Sequence, residues 1–277
     1  MRLAASDDVV HPVFFAPGSG SLKLLLGLLV VITLVLGLVL AGLYFGQHRL
    51  IYFPNMTRGD AAVASNFQLK RPHGVTLRGW QDRPGQPRAL LYFGGNAETL
   101  QPARALLAEC CPGSTAYLVT YRGYGGSDGS PSRDAILGDA LAMYDEVARL
   151  HPDQPIAVIG RSLGSGVASW VASQRPTAKL VLITPFDSLS NVAKSHYPWL
   201  PVSWLMRERY DSVECLNGRA QPTLVIRASD DHVVPAANTD ALLATLPPSV
   251  RVVRIEGDHN NLSAQPAYRQ VLAKFLH

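Results

Sequence analysis

The residues best placed to do chemistry begin with a serine in a glycine-framed turn. Gly160-Arg161-Ser162-Leu163-Gly164 follows the apolar run 156–159 and precedes a small-residue helical stretch, 165–173, that ends before Pro176. A strand that turns this sharply into a helix forces its middle residue into strained backbone angles and exposes that residue's hydroxyl. Gly160 and Gly164 remove β-carbons that would meet the neighbouring strand and helix. The helix N-terminus then aims free N–H groups and partial positive charge at the reaction centre. The chemistry implied is attack by the Ser162 hydroxyl on an acyl carbon.

A serine hydroxyl is a weak nucleophile and needs a base. In a strand–turn–helix setting the partners are expected in the order Ser, then Asp or Glu, then His. His259 follows the apolar run 250–255, at the end of a strand where ligands meet catalytic groups in parallel sheets. His196 and His232 compete with it by order alone. His73 and His151 come too early, His11 and His48 flank a long apolar segment, and His277 is terminal. The acid belongs after the run 223–226, where Asp230 and Asp231 stand side by side. Position does not choose between them, and either could cap the helix that begins near Pro235. An oxyanion hole would take one N–H from Leu163. A second would come from the loop Gly94-Gly95-Asn96-Ala97-Glu98, by way of Gly95 or Asn96. Asn96 could also simply N-cap a helix there, and the two roles are compatible.

These residues need a scaffold that brings the ends of several strands together. The runs 89–93, 116–121, 156–159, 180–184, 223–226 and 250–255 are mostly continuous stretches of Val, Ile, Leu, Tyr and Phe. That pattern predicts parallel strands buried on both faces. Helical spacing fills the intervals. Ser132 is the expected N-cap of a helix carrying Ile136, Leu137, Ala140, Leu141, Tyr144 and Val147, stopped by His151-Pro152. The fold class is therefore α/β, a mostly parallel sheet with helices on both faces. The run 75–80 predicts an earlier, antiparallel strand.

Ahead of this domain, residues 24–45 carry no charge and would make a helix about 33 Å long, enough to cross a bilayer core. The run exceeds a signal-peptide core of roughly 7–15 residues and lacks the polar face expected of a core helix. The expected organisation is a tail at 1–21, a single transmembrane helix at 22–46 and a catalytic domain at 47–277. Arg2 and Lys23 before the span balance Arg49 and Arg58 after it, so charge does not set its orientation.

Composition excludes other classes. Hydrophobic residues make up 47% and charged residues 17% of the 277 positions, which rules out a disordered chain. The net charge of +4 is spread along the chain without a basic run, so no nucleic-acid partner is expected. Cys110, Cys111 and Cys215 do not have zinc spacing, and neither metal nor organic cofactor is implied. They read as buried thiols, with one bridge to Cys215 as the alternative.

Taken together, the motifs resemble the Bem46-like branch of the α/β-hydrolase superfamily. The matching stretches are His48-Arg49-Leu50-Ile51-Tyr52-Phe53-Pro54, Tyr92-Phe93-Gly94-Gly95-Asn96-Ala97, Tyr121-Arg122-Gly123-Tyr124-Gly125-Gly126-Ser127, Gly160-Arg161-Ser162-Leu163-Gly164, His196-Tyr197-Pro198-Trp199-Leu200-Pro201, Asp231-His232-Val233-Val234-Pro235 and Gly257-Asp258-His259-Asn260. The resemblance implies an α/β-hydrolase fold and a Ser162–Asp231–His259 triad, with Asp231 rather than Asp230 as the acid. It also implies Leu163 with Gly95 or Asn96 as oxyanion donors, and His196 in a loop over the site. The implied substrate is a small acyl or lipid-like ester or thioester. A domain outside the cytoplasm is implied by related single-span hydrolases. Two departures are Gly94, where the group has His, and Ala228, where it has Gly.

The apolar segment 186–210 leaves three readings open. It is a cap over an acyl pocket, a surface dipping into the membrane interface, or helices packed on the sheet. The alternative to an enzyme is a non-catalytic, membrane-anchored binding module that keeps the fold, against which the intact Ser, Asp and His argue. A dinucleotide-binding reading of Gly164-Ser165-Gly166 fails because Ser169 stands where a third glycine belongs.

Overall fold

The computed structural model describes residues 19–277. The expected tail therefore lies outside the described residues as far as position 18. The apolar helix α1 runs over Ser19–Ile51, longer than the uncharged run itself. Its apolar part has a mean hydropathy of 3.1 over an 18-residue window with no residue buried, so it is long and apolar enough to cross a membrane. Pro54 then ends the helical path, because a proline disfavours helix in the residue before it. The stretch up to Phe45 and the stretch Gly46–His277 are separate compact units.

The second unit begins in the last turns of α1 and continues with the one-turn helix α2 (Arg58–Ala61) and the strands β1 (Phe67–Lys70), β2 (Thr76–Asp82) and β3 (Ala89–Phe93). There follow α3 (Gln101–Cys110), β4 (Thr115–Val119), α4 (Arg133–Leu150), β5 (Ile156–Arg161), α5 (Leu163–Gln174) and β6 (Lys179–Ile183). The chain continues through α6 (Leu189–His196), α7 (Val202–Leu205), α8 (Ser212–Leu216), β7 (Thr223–Ala228), α9 (Ala236–Leu243), β8 (Arg251–Ile255) and α10 (Pro266–Leu276). Each of the six expected parallel runs appears as a strand, with ends shifted by at most two residues. The eight strands form one sheet in the order β1-β2-β4-β3-β5-β6-β7-β8. β3 to β8 pair in parallel, while β2 is antiparallel to both β1 and β4. The sequence did not reveal β1, whose four residues form a half-exposed edge with too little apolar pattern to read.

The central strands are buried on both faces, which explains their continuous apolar runs. Alternate residues feed two cores. Leu91, Phe93 and Val158 join Ile136 of α4 and Val167 of α5 on one face, while Leu90, Tyr92 and Ile159 join Leu107 of α3 and Leu272 of α10 on the other. Each fully buried aliphatic side chain contributes roughly 1.5–3 kcal/mol. Ser132 caps α4 as expected, accepting the Ala135 N–H, and His151 ends that helix. β8 alternates exposed and covered residues as an edge strand does. Cys110, Cys111 and Cys215 are all free thiols.

The segment 186–210 buries Phe186, Val192, Val202, Met206 and Tyr210, with Phe186 and Tyr210 set against Gly166 of α5. Tyr197, Trp199 and Trp204 face outward, with Trp204 85% exposed.

Candidate active site

Ser162 sits between β5 and α5 with φ 52° and ψ −120°, a backbone conformation unfavourable for a side chain bearing a β-carbon. The surroundings hold it there. Its N–H donates to Ile183 O in β6 at 2.9 Å, and its carbonyl accepts the Ser165 hydroxyl at 2.6 Å. The flanking glycines are required by space. A β-carbon on Gly160 would lie 2.1 Å from Gly164 O, and one on Gly164 would lie 2.1 Å from Phe93 O. The elbow therefore packs against the end of β3, and the oxyanion loop begins at that end.

His259 reaches this serine from the loop after β8. Its Nε2 is 2.9 Å from Ser162 Oγ, and its Nδ1 is 2.8 Å from Asp231 Oδ2 and 3.0 Å from Oδ1. Asp231 is fixed in turn by the N–H groups of Val233 and Val234, both donating to Oδ1. His259 and Asp231 side chains are both under a tenth exposed. Asp230 lies elsewhere: its carboxylate faces solvent 3.2 Å from the exposed His232. The backbone between Asp230 and Asp231 thus sends one carboxylate outward and the other to the imidazole. His196 holds Val233 O at 3.0 Å on the surface and does not contact Ser162.

The expected oxyanion donors separate. The Gly95 N–H donates to Glu98 Oε2 at 2.7 Å, so this donor is engaged within its own loop. Among the described residues the Asn96 N–H has no acceptor, and Leu163 is the first residue of α5, whose N–H has no partner in the helix. Asn96 is clamped from three sides. Its amide Nδ2 donates to Ile51 O at 3.0 Å, and its carbonyl accepts from the Phe53 N–H at 3.3 Å and the Tyr124 hydroxyl at 2.9 Å. Tyr124 Oη also accepts the Phe53 N–H at 2.9 Å. The stretch leaving α1 therefore braces the oxyanion loop, a role sequence reading missed. Tyr52 anchors the same stretch from below, donating to the buried Glu208 at 2.6 Å.

Sequence reading also missed Glu98 and Arg161 as partners, although both lie inside recognised motifs. Arg161 Nη1 is 3.2 Å from Glu98 Oε2, and Arg161 Nη2 donates to His259 O at 2.9 Å. Burial works against the guanidinium charge, but Glu98 together with Tyr92 and Tyr268 outweighs it and holds the Arg161 pKa above its usual value. Glu98 also accepts the hydroxyl of Tyr92, whose own pKa burial pushes well above the ordinary tyrosine range.

A cavity of about 800 Å³ opens onto Ser162 and His259. Pro102 and Leu106 of α3 and Tyr268 of α10 form its apolar wall, with Phe53 and Val233 also lining it. No residue of the segment 186–210 lines it.

A serine in a strained elbow at the end of a parallel strand, with aspartate and then histidine following it in the chain, is the constellation of α/β hydrolases. Residues 89–211 match the alpha/beta hydrolase fold family. The Mycobacterium tuberculosis protein Rv2307c is 35% identical over 83% of this chain and 86% of its own length. The lysophosphatidylserine lipase ABHD12 of Danio rerio is 30% identical over 61% of this chain and 55% of its own. The Pyrococcus furiosus esterase Pf2001 shares the fold with a TM-score of 0.64, at 18% identity over 78% of this chain and 91% of its own. The chain belongs to the Bem46-like branch of the α/β-hydrolase superfamily.

Proposed function

We propose that the chain is a serine hydrolase that cleaves an acyl ester or thioester through an acyl-enzyme, within the carboxylic-ester hydrolases. The observation that carries this reading is the unbroken line Asp231–His259–Ser162, with contacts of 2.8 and 2.9 Å. His259 Nε2 takes the Ser162 proton as Oγ bonds to the acyl carbon. Asp231 holds Nδ1–H and balances the imidazolium. The carbonyl oxygen, now negative, is received by the N–H groups of Leu163 and Asn96, each such donor contributing about 3–4 kcal/mol. The imidazolium then gives its proton to the leaving oxygen or sulfur. Water, deprotonated by the same His259, releases the acid and restores Ser162.

The substrate we propose is lipid-like, with a single acyl chain in the cavity between α3 and α10. The apolar wall of Pro102, Leu106 and Tyr268 supports it, as does the lysophospholipid lipase activity named for the ABHD12 relatives. We further propose that α1 anchors the protein in a bilayer as a single span with residues 47–277 outside the cytoplasm. Protease digestion of sealed vesicles of known orientation tests that sidedness.

Labelling of the full chain with a fluorophosphonate probe tests the catalytic reading. Labelling of wild type that is lost in Ser162→Ala and His259→Ala supports it. A folded wild type that does not react overturns it.

A further inference from the structure

Beside the reacting serine lies a buried charge pair to which the triad mechanism gives no task. Glu98 Oε2 is 3.5 Å from the point a Gly95 β-carbon would occupy, and Ser162 Cβ is 3.6 Å from that same point. The carboxylate oxygen is therefore no more than about 7 Å from Ser162 Cβ, beside the place where an oxyanion would form. Both side chains of the pair are only 12% exposed, so water screens little of this charge. A lone carboxylate there would repel the developing negative charge. At an effective dielectric of about 20, that repulsion corresponds to roughly 10- to 100-fold in rate.

Glu98 nonetheless has a definite geometric use. It accepts the Gly95 N–H at 2.7 Å and the Tyr92 hydroxyl at 2.8 Å, and this folds the loop so that the next N–H, that of Asn96, is left without an acceptor among the described residues. Arg161 answers the charge and adds a second link, because its other nitrogen donates to the carbonyl of His259 at 2.9 Å. The pair thus joins the oxyanion loop, the nucleophile elbow and the histidine loop.

We infer that Glu98 and Arg161 are positioning residues of the hydrolytic site: Glu98 shapes the oxyanion loop around Gly95, and Arg161 cancels the charge this brings next to the oxyanion while holding the His259 loop. This rests on the serine-hydrolase reading above. Its signature is charge-dependent rescue. Removing Arg161 leaves a bare carboxylate beside the oxyanion, and removing the Glu98 charge as well relieves the repulsion while Gln can still accept the Gly95 N–H.

The test is steady-state hydrolysis of a p-nitrophenyl acyl ester by the full chain in detergent micelles, for wild type, Glu98→Gln, Arg161→Met and the double variant. Arg161→Met is expected to lower kcat roughly 10- to 100-fold with KM changed less than about threefold. The double variant is expected to recover at least about tenfold of that loss, since the coupled charge is gone. Losses that multiply in the double variant, or an Arg161→Met protein with wild-type kcat, overturn the inference. Should Arg161→Met not fold, Arg161→Lys carries the test because it keeps the charge without the two-pronged contact. A kcat within about tenfold of wild type supports the charge role, and a fall beyond about 100-fold overturns it. Fluorophosphonate labelling of wild type separates the two levels. Unreactive, inactive wild type overturns the hydrolase reading and the inference with it, whereas reactive wild type with multiplying losses overturns the inference alone.

Discussion

Arg161 Nη2 donates to the carbonyl oxygen of His259 at 2.9 Å, so the residue before Ser162 holds the backbone of the histidine whose ring reaches that serine. Ninety-seven positions separate Ser162 from His259 in the chain, and this bond, with the Nε2–Oγ contact, joins them. The loop after β8 is thereby fixed at both its main chain and its side chain.

Truncating the reacting groups separates catalysis from stability. Ser162→Ala and His259→Ala are expected to lower kcat for an acyl ester by about 10⁴- to 10⁶-fold, and Asp231→Asn by about 10⁴-fold. The Asp230→Asn variant is expected to keep wild-type kcat, because that carboxylate faces solvent. Ester hydrolysis and thermal melting of the same samples check all four.

The elbow glycines respond to size rather than charge. Gly164→Ala sets a β-carbon against Phe93 O and Gly94 O, and both are backbone atoms that cannot swing aside. The expected loss is at least about 3 kcal/mol, the upper end for overpacking. Denaturant titration measures it, and a stability equal to wild type would contradict the elbow's close approach to β3.

Tyr124→Phe removes one hydroxyl that bonds both Asn96 O and the Phe53 N–H. Leaving these groups short of partners is expected to cost about 1–2 kcal/mol. It also loosens the loop that carries the Asn96 N–H, so kcat is expected to fall by about tenfold or less while KM holds. Kinetics on a soluble ester give both parameters.

Asp128 links stability to pH. The hydrogen bond from Arg78, with that from the Thr76 N–H, holds its pKa below the usual carboxylate value. A depressed folded pKa contributes stability that is full above the unfolded value, about 3.9, and is lost as pH falls through the folded one. Asp128→Ala is therefore expected to melt below wild type at neutral pH, with the gap narrowing below about pH 4. Melting curves across that range provide the check.

The stretch after the apolar helix belongs to the catalytic unit by its bonds. Gln47 donates to Leu205 O and accepts from the Arg207 and Glu208 N–H groups, and Tyr52 donates to Glu208. A chain beginning at Gly46 is expected to be soluble and to hydrolyse esters, while the full chain stays with membranes in alkaline carbonate. A chain beginning at Asn55 is expected to melt lower and lose activity, since the brace on Asn96 is gone. Fractionation and ester assays of the three chains decide this.

Sequence alone carried the strand order of the chemistry. Parallel strands buried on both faces are apolar at nearly every position, so β3 to β7 were visible as continuous runs, while the edge strand β8 kept enough Val and Ile to be read, and the motifs at their ends fell where loops had to be. Ser162 was legible because a strained elbow admits few residue types around it. β1 was not legible, since a short, half-exposed edge is under little compositional constraint.

What sequence could not determine is which polar atoms share a partner, because that depends on loop paths and not on residue type. Neither spacing nor composition chose between Asp230 and Asp231. In the structure the direction of one backbone bend sends Asp231 to His259 and Asp230 to water. Gly95 and Asn96 were equivalent donors on paper, but the Glu98 carboxylate engages the first and leaves the second open. The Glu98–Arg161 pair spans 63 positions of chain, and the parallel pairing of β3 with β5, which sets Phe93 opposite Gly160, brings its halves together. Local chemistry fixed the identity of the groups, and long-range packing, which obeys no local code, fixed their partners.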